Sequence, residues 1–322
     1  MVIASPQTAA AGSGPKASDL DKVLRGHGVK GATLGALVVE LPSGRIVYER
    51  NAHEPMIPAS NMKLAVIAAA IDGLGAGFEF ETVLARRGAD LVVIGGGDPA
   101  FGDPRLSKAR GEAIAAPLNR WADKLSAEGV QWIAGRLLFD DFIFEERRVH
   151  PDWPRDQYQT WYEAPIGGLN LATNCVSVVA APTAPGQPAA LSFSPGNTAL
   201  SLVNRTKTAK KQTAVIHRNR GESVVRVTGG VGQRGSLGEV TVHDPGLFFA
   251  SALRTSMATK GIRIEGPIER MRFRSTDGRL PPDLQILARH RTPLRDVAAR
   301  AGKQSQGMMA EGLIKMLGVR LR

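Results

Sequence analysis

Apolar residues crowd into one uninterrupted run early in the chain, Leu64-Ala65-Val66-Ile67-Ala68-Ala69-Ala70-Ile71, closed by Asp72-Gly73. Eight apolar residues with three central alanines predict a buried helix. Ser60 stands where an N-cap belongs, and Gly73 where a helix stops. Upstream, residues 19–25 form a short amphipathic helical pattern. Residues 33–41 and 45–49 read as strands joined by Pro42-Ser43-Gly44, a hairpin with a turn mechanism. Two strands followed by a buried helix suggest an antiparallel sheet with helices packed on its face.

Further strands are predicted over 78–84 and 90–94, an amphipathic helix over 113–128, and a strand over 132–139 that ends at Asp140-Asp141. From Cys175 to Val242 the pattern changes to short apolar runs separated by turn residues: 176–180, 190–193, 200–203, 214–217, 224–228 and 239–242. This is a small all-β module. Residues 247–260 read as a helix, followed by a strand at 261–264. Thr292-Pro293 places a cap and a proline correctly to open another helix. Gly302 interrupts it, and Ser305 caps a last helix whose Met309, Leu313, Met316 and Leu317 share one face. Residues 1–17, rich in Ala, Gly, Ser and Pro, are expected to be a disordered tail.

The chain has 322 residues, enough for two or three domains, and 43% of them are hydrophobic, an ordinary globular value. Thirty-six glycines and 20 prolines suit a turn-rich β part. The single cysteine, Cys175, excludes an internal disulfide. A net charge of +11 favours anionic partners: a cell-wall polymer, a membrane surface or nucleic acid. No stretch reaches the length of a membrane span, and residues 1–16 lack the charged and apolar regions of a secretory signal.

Several motifs suggest chemistry. Ser60 and Lys63 fall three residues apart in one helical turn, so their side chains meet on one face. A serine hydroxyl is a weak nucleophile, and a desolvated lysine amine beside it can take its proton. The helix N-terminus adds free N–H groups where an oxyanion could form. Ser-x-x-Lys is an acyl-transfer signature, but it also arises by chance about once in a chain of this length, as a capped helix with a solvated lysine. Gly95-Gly96-Gly97-Asp98-Pro99 has no helix or Gly-Lys-Ser/Thr close behind it, so it is a structural turn in which Asp98 caps or bridges. Asp140-Asp141 has no neighbouring histidines and reads as a solvated, salt-bridging loop rather than a metal or acid–base site. No metal or cofactor is expected. Residues 151–165 hold Trp153, Tyr158, Trp161 and Tyr162, a cleft wall or a packed loop. Gly230-Val231-Gly232-Gln233-Arg234-Gly235 spells G-x-G-x-x-G but runs into a strand, which excludes a dinucleotide site. Residues 205–220 carry six Lys/Arg and no acid, without aromatics for base stacking. They suggest a solvated basic hairpin touching an anionic polymer rather than nucleic acid.

Pro58-Ala59-Ser60-Asn61-Met62-Lys63 resembles the nucleophile motif of class C low-molecular-mass penicillin-binding proteins, serine D-alanyl-D-alanine carboxypeptidases that also act as endopeptidases. The likeness extends to Gly95–Pro99, to Gly135-Arg136-Leu137 through Asp140-Asp141-Phe142-Ile143-Phe144, and to Tyr162-Glu163-Ala164-Pro165 with Leu169-Asn170 through Asn174. It continues at Asp244-Pro245 and at Gly261-Ile262 with Gly266. Ser305-Gln306-Gly307 falls where the family has its second motif, Ser-x-Asn, 245 residues after Ser60.

The resemblance covers residues 18–322. It implies an α+β fold: a transpeptidase/β-lactamase-like catalytic domain from residues 18–85 and 283–322, a first insert domain from 86–175 and 240–282, and an inner all-β domain from 176–239. It further implies Ser60 as nucleophile, Lys63 as general base and Ser305 as proton relay. Peptidoglycan stem peptides are the implied substrate, β-lactams the covalent inhibitors, and the location is periplasmic or otherwise extracytoplasmic.

Two departures stand against it. The asparagine of Ser-x-Asn falls on Gly307, which offers no side chain. The third motif, Lys-Thr-Gly on a sheet strand, is not seen before Arg322. This predicts a C-terminally truncated catalytic domain with an unpaired edge at the 33–49 hairpin, impaired in activity and poorly stable alone. A non-catalytic cell-wall-binding or scaffold relative is the alternative, and a basic nucleic-acid binder a weaker third reading.

Overall fold

The computed structural model describes residues 16–26, 31–154, 156–275 and 278–321. Most of the expected tail, residues 1–15 of 1–17, lies outside them. The chain divides into two compact units, one up to Ala59 and one from Ser60 onward.

The first unit holds helix α1 (Ala17–Gly26) and strands β1 (Ala36–Val39) and β2 (Ile46–Arg50). The two strands pair antiparallel, Ala36 opposite Arg50, and Gly44 turns between them at φ +69°. Tyr48 is buried and donates its hydroxyl hydrogen bond to Asp21 Oδ1 at 2.8 Å.

The second unit starts with α2 (Met62–Leu74), β3 (Glu79–Arg87) and β4 (Asp90–Ile94), then α3 (Pro104–Ala109) and α4 (Ala116–Ala127), β5 (Trp132–Ile133) and β6 (Leu137–Asp140). The expected strand over 132–139 is thus two. β5 pairs with the later strand Arg263–Ile264, and β6 with β4 and the later strand Ile268–Arg270. Gly135 between them lies against the Ala89 backbone, where a Cβ would stand 2.5 Å from the carbonyl oxygen. Six short strands follow: β7 (Cys175–Ala181), β8 (Ala190–Ser194), β9 (Ser201–Thr208), β10 (Val215–Arg218), β11 (Val224–Val231) and β12 (Gly235–Thr241). Helix α5 (Pro245–Thr259), β13 (Arg263–Ile264), β14 (Ile268–Arg270), β15 (Gln285–Pro293), α6 (Leu294–Lys303) and α7 (Gly307–Arg320) complete the unit.

The fold is α+β, as expected. Its main sheet has the order β14-β6-β4-β3-β15. Side chains alternate across it. Leu84, Leu91, Val93, Leu137 and Phe139 enter the larger core with residues of α4 and α5, while Val83, Ala85, Val92, Ile94 and Leu138 meet Phe273 and Leu284 on the other face. Burial on both faces explains the unbroken apolar run of β4. The edge strand β15, missed in the sequence, pairs with β3 from Gln285 opposite Arg86 to Pro293 opposite Glu79.

The all-β module is two three-stranded sheets, β12-β7-β8 and β10-β11-β9. Val176, Val178, Val225, Val227 and Val240 are buried together in it. The G-x-G-x-x-G stretch leads into β12, as expected. The basic segment is not a hairpin, because β11 lies between β9 and β10 and pairs parallel with β9.

Helix α2 differs most from expectation. It packs against α6 and α7, yet Ala70 is its one fully buried residue, and Met62, Leu64 and Ile71 are 52%, 62% and 45% exposed. It runs past Gly73 and stops at Gly75, whose φ of +86° ends the helix. Gly73 instead admits Leu317 of α7, whose Cδ2 would lie 2.6 Å from a Cβ there.

In the larger core Phe249 of α5 is fully buried against Phe101 and Trp121. Phe249→Ala is expected to cost about 3–5 kcal/mol, read as a lower urea midpoint at an unchanged slope.

Candidate active site

The residues ahead of α2 form a 3-10 turn, Ala59–Asn61, rather than a serine-capped start. Asn61 occupies the cap position without a side-chain cap bond, and Ser60 sits exposed one residue earlier. Ala59 adopts φ +43°, a left-handed conformation that turns the chain into the helix. The turn keeps the spacing of Ser60 and Lys63, and Lys63 Nζ donates to Ser60 Oγ at 3.2 Å. Lys63 is half-buried.

Ser305 lies in the corner between α6 and α7, exposed and at φ +54°. Gln306, not Ser305, is the cap residue of α7. The buried face of α7 carries Met309, Leu313, Met316 and Leu317 as the periodicity indicates, with Met308 added. Gly302 does not interrupt α6 but lies in its last turn, where a Cβ would stand 3.2 Å from Ile67 Cδ1. Ile67 is one turn along α2 from Lys63. The last turn of α6 thus packs against α2 one turn beyond Lys63. Among the described residues no hydrogen bond joins Ser305 to either. Gly307 also has a steric reason, since a Cβ there would approach the Tyr162 carbonyl oxygen to 3.2 Å.

The glycine turn after β4 is structural. A Cβ on Gly96 would lie 1.9 Å from the Glu81 carbonyl oxygen, and one on Gly95 2.1 Å from that of Gly168. Asp98 then bridges. Its Oδ1 accepts from Ala100 N at 2.9 Å and its Oδ2 from Thr292 Oγ1 at 2.5 Å. Thr292 is thus the partner of Asp98 and not the cap of α6. Burial pushes the Asp98 carboxyl up to about 6, the hydrogen bonds from Thr292 and Ala100 opposing it in part. Burial also pushes neighbouring His290 down to about 4, helped by Arg120 and Arg110, so its 3.9 Å approach to Asp98 is not an ion pair at neutral pH.

Asp140 and Asp141 serve structure. Asp140 accepts backbone hydrogen bonds from Phe142, Phe273 and Arg274, and Asp141 is paired with Arg148 and Arg270. They are buried, so the pairing expected on a solvated loop occurs inside the protein. Trp153 and Tyr158 wall a cleft of about 660 Å³ with Arg148, Arg218, His243 and Arg270. Trp161 and Tyr162 stand edge to face and exposed. None of Ser60, Lys63 and Ser305 lines the cleft. Among the described residues no group of three or more His, Cys, Asp and Glu could hold a metal ion, and no helix is long and apolar enough to cross a membrane.

Residues 16–322 match the model of the D-Ala-D-Ala carboxypeptidase 3 (S13) family. The chain belongs to this family. Its relatives include a D-alanyl-D-alanine carboxypeptidase of Actinomadura sp. (strain R39), 30% identical over 323 residues that cover 93% of this chain and 56% of the relative. The DacB D-alanyl-D-alanine carboxypeptidase of Haemophilus influenzae is 21% identical over 303 residues, 89% of this chain and 59% of the relative. The chain thus spans under three fifths of the length of these S13 relatives. Among solved structures it resembles penicillin binding protein 4 (dacB) of Haemophilus influenzae with a TM-score of 0.67 at 19% identity, covering 91% of this chain and 64% of that one. The same protein complexed with a β-lactam gives 0.61 at 18% identity, covering 91% and 63%. These two likenesses concern the fold.

Sequence reasoning missed one further buried contact near the site, Arg300 with Asp103. Its signal was Asp103-Pro104, the cap-and-proline opening of α3.

Asp98 generates a pH prediction. Its folded value lies above the unfolded 3.8, so its contribution to stability is fully present below about pH 4 and lost as pH rises through 6. Urea unfolding of Asp98→Asn should remove this loss. Between pH 4 and 7 the wild type should lose about 2–3 kcal/mol relative to the variant.

Proposed function

We propose that this chain is a serine-type D-Ala-D-Ala carboxypeptidase/endopeptidase acting on peptidoglycan stem peptides through an acyl-enzyme. The observation that carries the reading is the 3.2 Å hydrogen bond from Lys63 to Ser60 at the opening turn of α2, in a chain of the S13 family. Ser60 Oγ attacks the carbonyl carbon of the penultimate D-alanine while the Lys63 amine takes its proton. The developing oxyanion lies near the positive end of α2, where free N–H groups stabilise it. The C–N bond breaks as Ser305 relays to the departing D-alanine nitrogen the proton that Lys63 took up. Water then attacks the ester carbonyl and gives a proton to Lys63, the Ser60–acyl bond breaks, and Lys63 returns that proton to Ser60. Acid–base side chains supply every proton transfer, so the reading calls for no cofactor.

The same attack opens a β-lactam ring and leaves a Ser60 ester. A peptidoglycan substrate implies a periplasmic or otherwise extracytoplasmic location, and the net charge of +11 suits an anionic wall polymer. The pairing of β3 with β15 and the packing of α2 on α6 and α7 support assigning residues 18–85 and 283–322 to the catalytic domain. Residues 86–175 with 240–282 and residues 176–239 are then the two inserts.

Gly307 favours a second reading, a non-catalytic wall-binding relative. It has no side chain to hold the lysine or a substrate amide, and one such missing contact costs about 2–4 kcal/mol of transition-state stabilisation.

Fluorescent penicillin separates the two. The enzyme reading predicts a covalent band lost in Ser60→Ala and formed about 10²–10⁴-fold more slowly in Lys63→Ala, with the circular dichroism spectrum unchanged in both. No band at high protein concentration supports the binder, and unchanged labelling of Lys63→Ala removes that residue from the mechanism.

A further inference from the structure

We propose that Arg300 is a positioning residue for Ser305, gripping the residue on either side of it; the inference rests on the acyl-transfer reading above. Ser305 stands in the left-handed region at φ +54°. A residue with a Cβ is disfavoured there and stays only where its surroundings over-determine it. Arg300 supplies that constraint. Its Nη1 donates to Gln304 Oε1 at 3.2 Å, holding the residue before Ser305. Its carbonyl oxygen accepts from the backbone N–H of Gln306 at 3.3 Å, holding the residue after.

The guanidinium is itself fixed. Arg300 Nε donates to both carboxylate oxygens of Asp103, at 3.0 and 2.9 Å, with the two side chains 8% and 0% exposed. Asp103 is anchored in turn by the N–H groups of Arg105 and Leu106 at the start of α3, at 3.0 and 2.9 Å. A charge-assisted contact shielded from water has strong directional preference. The path therefore runs from α3 through Asp103 and Arg300 to the residues on either side of Ser305. Arg300 does not touch the reacting groups. It sets where the Ser305 hydroxyl can be, and a displacement of about 1 Å of such a group can cost on the order of 10²-fold in rate.

The experiment is a double-mutant cycle on fluorescent-penicillin acylation, read with thermal melts. Arg300→Lys keeps a cation for Asp103 but loses the planar fork that reaches Gln304. Gln304→Leu leaves the Arg300–Asp103 pair intact and removes only the grip on the corner, so it serves if Arg300→Lys does not fold. The expected result is about 10–100-fold slower acylation at saturating penicillin, with the half-saturating concentration unchanged. Neither variant should slow a Ser305→Ala chain further. Losses that multiply with that of Ser305→Ala, or no loss at all, overturn the proposal.

Amide hydrogen exchange gives a readout independent of activity. The Gln306 N–H should exchange at least tenfold faster in the folded Arg300→Lys chain, or in Gln304→Leu if that variant alone folds, and unchanged protection overturns the proposal. Failure of the wild type to label sinks the peptidase reading, while the exchange of Gln306 still decides whether Arg300 holds the corner.

Discussion

Two buried carboxylates in the loop after β4 tie the early chain to the late chain. Asp98 takes the hydroxyl of Thr292, at the end of β15, and Asp103 takes the guanidinium of Arg300, in α6. Both acids also hold backbone N–H groups of their own loop. The α6–α7 corner that carries Ser305 is held by the Asp103–Arg300 contact and by the apolar faces of α6 and α7. The three-glycine turn belongs to the same device, because only residues without a Cβ let the loop lie against the Glu81 and Gly168 carbonyls.

The Ser60–Lys63 pair is built from local geometry alone. A one-turn spacing brings hydroxyl and amine together whatever the remainder of the fold does. Ser305 is different in kind, since its place depends on a strand, a helix and a corner that are remote in sequence. The proposed reaction therefore needs a cheap local pair and a third group whose positioning depends on long-range contacts. Gly307 lies close beside the Tyr162 carbonyl, where a side chain would have to displace its neighbour.

Much of this was legible in the residues. The hairpin, β3, β4, the six-strand module, helix α5 and the buried face of α7 followed from the apolar pattern, which reports burial directly. The structural role of the glycine turn followed from the absence of a helix behind it. What periodicity could not report was partnership. β15 was missed because an edge strand with Arg289, His290 and Arg291 has no continuous apolar run, and it is held by pairing with β3 and by Glu81. Thr292 looked like a cap because cap and buried bridge use the same hydroxyl. Residues 205–220 looked like a hairpin because neighbouring strands usually pair, whereas here β11 enters between them. Helix α2 looked buried because composition records greasiness and not what lies alongside. Ser60 and Lys63 were visible as a spacing, and Ser305 as a motif position. The Arg300–Asp103 contact spans 197 residues and left only the capping signature of Asp103 to betray it.

The pairing of β3 with β15 has a consequence for how the polypeptide reaches this state. Gln285 meets Arg86 across 199 intervening steps along the chain. Closing so long a loop is entropically slow, and at about 5–20 residues per second a ribosome needs on the order of 10–40 s to deliver the second strand after the first. During that interval β3 has one open edge and α2 has neither of its helical neighbours. The intervening segments can organise themselves while the ribosome is still working, which shortens the effective distance to be closed. Nascent chains stalled before β15 should therefore be the species that chaperones hold.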